Sequence, residues 1–127
     1  MTKRILVIED NPINMELITY LLRAFNYSVF NAEDGDMGIQ LAYQEKFDLI
    51  ICDVHMPKKD GYEVVKQLKG NPALCMTPII AVTALAMVGD REKLLSSNFD
   101  GYISKPIIPE RFVNQIESFM SMAGIEN

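Results

Sequence analysis

The chain has 127 residues, 49% hydrophobic and 23% charged, with a formal net charge of −5. That length suits one domain with a real core and excludes two ordinary domains, and the apolar content excludes disorder. The acidic balance gives no general drive toward nucleic acid, two cysteines cannot build a secreted scaffold, and the sequence shows neither a signal-peptide core nor an apolar run of membrane length.

The expected setting is a reducing cytoplasm with Cys52 and Cys75 unpaired. Ile5-Leu6-Val7-Ile8 is a continuous apolar run, the mark of a strand buried on both faces, and it stops at Glu9-Asp10. Asn11-Pro12 reads as an N-cap followed by proline at the first helical position. The following stretch places Ile13, Leu17 and Leu21, and then Ile18, Leu22 and Phe25, on one helical face. Ser28 to Ala32 is a weaker strand. Gly35 to Gln44 is the second helix, with Met37, Ile39, Leu41 and Ala42 as its apolar positions.

Leu49-Ile50-Ile51-Cys52 is the next buried strand and stops at Asp53. A helix carrying Tyr62, Val65 and Leu68 follows the loop from Pro57 to Gly61. Asn71-Pro72 and Thr77-Pro78 mark a connection. Ile79 to Val82 forms the fourth strand and stops at Thr83. Asp90 to Ser97 is a short helix, and Tyr102-Ile103-Ser104 a short strand stopping at Lys105. Pro109 opens a last helix with Phe112, Val113, Ile116, Phe119 and Met120 inward. Five βα units without a linker predict one α/β domain, a doubly wound five-stranded parallel sheet with helices on both faces. The domain is expected over residues 1–122, with 123–127 as a short C-terminal tail.

Glu9-Asp10, Asp53, Thr83 and Lys105 each end a different apolar strand. In an open α/β sheet that edge is where ligands bind. Three carboxylates brought together repel one another unless a cation joins them, and Mg²⁺, a hard ion preferring oxygen, suits the set better than zinc. A carboxylate beside Mg²⁺ can attack phosphorus to form an acyl phosphate. Lys105 would stabilise charge on the phosphoryl oxygens, and the Thr83 hydroxyl can donate to one of them. Alone, Glu9 or Asp10 reads as a cap and Thr83 as a strand-ending β residue. Together with Asp53 and Lys105 at matching strand ends, the site reading prevails.

Val7-Ile8-Glu9-Asp10-Asn11, Ile51-Cys52-Asp53-Val54-His55-Met56-Pro57 with Gly61, Val82-Thr83-Ala84, and Ser104-Lys105-Pro106 resemble the response-regulator receiver domain in order and spacing. The resemblance covers residues 3–121. The stretch from Ala86 to Glu92 resembles DivK-like single-domain regulators and hybrid-kinase receivers. It implies a flavodoxin/CheY-like (βα)5 fold and a two-component or phosphorelay switch, a signalling protein and not a conventional enzyme. Asp53 would be the phosphoacceptor, taking its phosphoryl group from phosphohistidine. Glu9, Asp10, Asp53 and the backbone carbonyl of His55 would hold Mg²⁺, with Mn²⁺ as a substitute. Thr83 and Lys105 would bind the phosphoryl group, Ala84 would leave it room, and Tyr102 would be the aromatic switch, unless it is only a rim aromatic. Pro106 would follow a cis peptide bond.

The resemblance also implies a sensor histidine kinase or a histidine phosphotransfer protein as donor, and a protein effector downstream. Docking is expected at Ile13, Asn14 and Leu17 and at the loop carrying Ile107 and Ile108, both apolar borders of the site. No direct DNA binding and no membrane contact are expected, and the state is a monomer or a phosphorylation-linked dimer. His55 is expected to point into solvent, and Leu85, two residues past Thr83, cannot orient a water, so self-dephosphorylation should be slow. The start Met1-Thr2-Lys3 fits a stand-alone protein or an N-terminal receiver better than one excised from a hybrid kinase. A flavodoxin-like electron carrier is disfavoured by Glu9-Asp10-Asn11-Pro12, which would repel a flavin phosphate. An aspartyl-phosphate phosphatase would want its nucleophile after the first strand, and a phosphorylation-independent adaptor would not need the intact residue set.

Overall fold

The computed structural model describes residues 2–85 and 87–122. The expected tail at 123–127 lies outside the described residues. The chain runs β1 (Arg4–Ile8), α1 (Pro12–Ala24), β2 (Ser28–Ala32), α2 (Gly35–Gln44), β3 (Leu49–Asp53), α3 (Gly61–Lys69), β4 (Ile79–Thr83), α4 (Asp90–Leu95), β5 (Gly101–Ser104) and α5 (Pro109–Met122). The five strands form one parallel sheet in the order β2-β1-β3-β4-β5.

Alternate residues of each strand serve opposite faces, as the two-residue period requires. Ile5, Val7, Ile51, Ile80 and Val82 pack under α1 and α5 with Ile18, Leu22, Phe112 and Ile116. Leu6, Ile8, Ile50, Cys52 and Ile79 pack under α2 and α3 with Ile39, Ala42, Val64 and Leu68. α4 contributes a smaller cluster of Val54, Ala81 and Leu94, against which Tyr62, Phe99 and Tyr102 lean. Because β1, β3 and β4 are covered on both sides, they read as continuous apolar runs.

Local caps explain where the helices begin. The Asn11 side chain accepts from the N–H groups of Ile13 at 2.9 Å and Asn14 at 3.1 Å, immediately before Pro12. Asp60 and Glu63 form a reciprocal capping box at the start of α3. α4 has only six residues, with Gly89 as an N-cap that makes no side-chain hydrogen bond, and it ends at Leu95, short of the Asp90–Ser97 expectation.

Two expected positions on the apolar face of α1 are corrected. Ile13 is 78% exposed and Phe25 58% exposed, while Met15 and Thr19 join Ile18 and Leu22 on the buried face of α1. Met37 is also exposed, and Gly35 and Gly38 hold its place on the inner face of α2. Apolar spacing alone admits two overlapping stripes on a helix. Which one is buried depends on where the strand before it delivers the chain. Cys52 is core, and burial pushes its thiol well above the ordinary range.

Candidate functional site

The strand order reverses direction of growth between β1 and β3, which opens a crevice at their carboxyl ends. Ile8 pairs with Cys52 in the last register step between the two strands. The next residues on each, Glu9 and Asp53, therefore emerge side by side. Both are buried, at 2% and 4% exposure, whereas Asp10 beside them is exposed. One oxygen from each of Glu9, Asp10 and Asp53 lies within 4.8 Å of the others.

Lys105 reaches this group from the far strand of the sheet. The N–H of Lys105 donates to the Thr83 carbonyl at 2.8 Å, which extends the β4–β5 pairing one residue past Ser104. Its Nζ donates to Asp53 Oδ1 at 3.3 Å and lies 3.7 Å from Glu9 Oε1. The Lys105–Pro106 peptide bond is cis. Thr83 is buried at the end of β4, and Ala84 follows it exposed.

Two buried carboxylates beside one ammonium leave an excess of negative charge. Burial first, and then the Asp53 carboxyl next to it, pushes Glu9 up to about 7. The Asn11 N–H, 3.2 Å from Glu9 Oε2, and Lys105 pull the other way. Glu9 Oε1 is buried without a hydrogen-bond partner. An orphaned carboxylate oxygen, with two further carboxylates in reach, is a hard, all-oxygen donor set that fits Mg²⁺.

The remaining expected residues are more dispersed. The His55 side chain is exposed and its N–H donates to Asp53 Oδ1 at 3.4 Å. Tyr102 is half-buried against the Val54, Ala81 and Leu94 cluster. Ile13 is exposed and Asn14 and Leu17 are half-exposed on α1, at the same edge of the sheet. Ile108 is exposed, but Ile107 is half-buried against the core under α1 and α5. No helix among the described residues is long and apolar enough to cross a membrane.

Sequence reading missed the groove that leads away from the site. It has a volume of about 1040 Å³ and runs along α1 from Glu9, Asp10 and Pro12 past Met15, Thr19 and Tyr20. Lys58 lies on its wall, with a positive φ of 68°. Neither the groove nor that backbone angle has a residue-level signal, since Lys58 looks like any loop lysine.

The family description "Response regulator receiver domain" matches residues 5–117. The polar-differentiation response regulator DivK of Brucella ovis is 40% identical over 123 residues, covering 97% of this chain and all of that protein. The DivK of Brucella anthropi is 39% identical over the same span. Among solved structures, a signal receiver domain of a Syntrophus aciditrophicus histidine kinase superposes with a TM-score of 0.89 at 28% identity, covering 99% of this chain and 96% of its own. The receiver domain of a Pseudomonas aeruginosa sensor histidine kinase, with magnesium coordinated in its active-site cleft, superposes with a TM-score of 0.87 at 30% identity, covering 95% and 99%. A buried carboxylate pair at the sheet's switch point, a lysine from the last strand and these full-length likenesses lead to one conclusion: the chain belongs to the response-regulator receiver domains of two-component signalling.

Proposed function

We propose that Asp53 is the phosphoacceptor of this receiver, and that Glu9, Asp10, Asp53 and the His55 carbonyl hold the Mg²⁺ that its phosphorylation needs. The observation that carries this reading is the Lys105 ammonium placed between the buried carboxylates of Asp53 and Glu9. An Asp53 oxygen forms a bond to phosphorus as the phosphorus–nitrogen bond of phosphohistidine breaks. The imidazole leaves with the electron pair and takes a proton. Bound Mg²⁺ supplies charge neutralisation at the phosphoryl oxygens. Lys105 then pairs with the phosphoryl group, the Thr83 hydroxyl donates to it, and exposed Ala84 leaves it room.

The phosphoryl group draws Thr83 and Lys105 toward Asp53. Thr83 ends β4 and Lys105 directly follows β5, so the loop before α4, α4 itself and Tyr102 respond to it. The output is a changed protein-binding surface in the cytoplasm, read by an effector, with the chain a monomer or a phosphorylation-linked dimer. The donor is a sensor histidine kinase or a phosphotransfer protein. It docks across Ile13, Asn14 and Leu17 and the loop with Ile107 and Ile108. Paired alanines at Ile107 and Ile108 should slow transfer from a phosphohistidine donor, and an unchanged rate would refute the docking assignment.

The first test is incubation with acetyl phosphate with and without Mg²⁺, read by intact mass. A phosphoryl adduct is expected with Mg²⁺ and none with chelator. Its decay after donor removal should be slow, because Leu85 is apolar and the His55 side chain faces solvent, so neither aligns a water. No adduct in folded protein from either acetyl phosphate or a phosphohistidine donor would overturn the reading. A half-life of seconds would overturn the slow-decay part alone.

A further inference from the structure

We propose that Lys58 steers the anionic phosphodonor into the site, a role that rests on the reading of Asp53 as acceptor. The wall of the groove beside the crevice is acidic. Beyond Glu9 and Asp10, whose charge bound Mg²⁺ would neutralise, Glu16, Glu33 and Asp34 line it, against only Arg23 and Lys58 as cations. A phosphorylated donor approaching from this side meets repulsion before it reaches Lys105. Arg23 does not offset it at the mouth, because its guanidinium is turned to the Val29 carbonyl at 3.3 Å, on the far part of α1.

Lys58 is placed to offset it. The Lys59 N–H donates to the Pro57 carbonyl at 2.8 Å, closing a three-residue γ-turn with Lys58 at its apex. The apex φ of 68° is a region where a side chain is strained and glycine would be relaxed. A strained backbone that keeps a long charged side chain is a sign of function. The neighbouring Lys59 is tied to Asp36 at 3.2 Å and Gln67 at 3.3 Å, and Lys105 is tied to Asp53. The Lys58 ammonium has no hydrogen bond or ion pair among the described residues. It is the free cation on the wall that Glu9 and Asp10 share.

Charge at a cleft mouth acts on encounter and fades with salt, whereas a contact to the reacting group does not. The test follows the initial rate of phosphoryl incorporation from acetyl phosphate, with saturating Mg²⁺, in the wild-type chain, Lys58→Met and Lys58→Glu. At low ionic strength Lys58→Met should be slower by about threefold and Lys58→Glu by about tenfold. In about 0.5 M salt, where the screening length is only a few ångströms, the three rates should converge. Lys58→Gly is the structural control. It relaxes the turn, so its melting midpoint should not fall, yet it should slow like Lys58→Met. Equal rates at low salt, or a deficit that persists unchanged at high salt, would overturn the steering role while the acceptor assignment stands. A folded wild-type chain left unlabelled by acetyl phosphate and by a phosphohistidine donor alike would overturn both.

Discussion

Asp53→Asn is expected to take up no phosphoryl group from acetyl phosphate and, without metal, to melt higher than the wild-type chain at pH 8. The first effect follows from the proposed acceptor role: among the described residues, Asp53 carries the buried carboxylate that Lys105 touches at hydrogen-bond distance. The second follows from electrostatics. Glu9 sits near 7 in the fold, up from 4.5, because burial and Asp53 disfavour its charge. A carboxyl whose folded value is raised favours the fold below its unfolded value and loses that contribution as pH rises through 7. Metal-free wild-type protein should therefore lose stability from this group between about pH 5 and 8.

Asparagine removes the like charge and leaves Lys105 to balance Glu9 alone. With discount for the open crevice mouth, the gain at pH 8 is about 1 kcal/mol, or about 3–5 °C in Tm. At pH 5 the two proteins should nearly coincide. Thermal melts at both values, paired with intact mass after donor treatment, check the two halves separately. Wild-type labelling of Asp53→Asn would move the acceptor elsewhere. A lower Tm than wild type at pH 8 would refute the charge argument.

Gly61→Ala is expected to destabilise the chain by about 2–4 kcal/mol and to cut labelling of Asp53 by tenfold or more. A Cβ at Gly61 would lie 2.5 Å from the Asp53 carbonyl oxygen and 2.8 Å from the Val54 Cα. Those are backbone atoms and cannot rotate away. The Gly61 N–H also donates to the Val54 carbonyl at 2.8 Å, so the start of α3 is fastened to the end of β3. Any shift that relieves the clash must move the backbone that aims the Asp53 carboxylate. Gly70→Ala at the other end of α3 is the control. Its nearest atoms would be at 3.4 and 3.5 Å, so it should be close to neutral. Denaturant midpoints and labelling rates of the pair decide the matter. Near-wild-type stability in Gly61→Ala would refute the contact.

The strands that matter and their polar ends are legible in the residues alone. β1, β3 and β4 are sandwiched between helices, so their buried runs are unbroken and their ends are abrupt at Glu9, Asp53 and Thr83. The caps at Asn11 and Asp60 are likewise written in side chains that bind their own neighbouring backbone.

The remaining features come from packing. The face of α1 could not be read, because Ile13, Leu17 and Leu21 recur at helical intervals just as Met15, Ile18 and Leu22 do, and the sheet selects between the stripes. Ile107 falls half under the core where Ile108 does not, since their order in a loop says nothing of what lies beneath. That Lys105 meets Asp53, 52 residues away, depends on β5 pairing with β4 and β4 with β3. The upward push on Glu9, the acidic groove and the strained turn at Lys58 arise from groups distant in sequence or from backbone geometry. Local pattern records which face of a strand or helix is apolar. Burial, proximity of charges and the shape between elements exist only once the elements have packed.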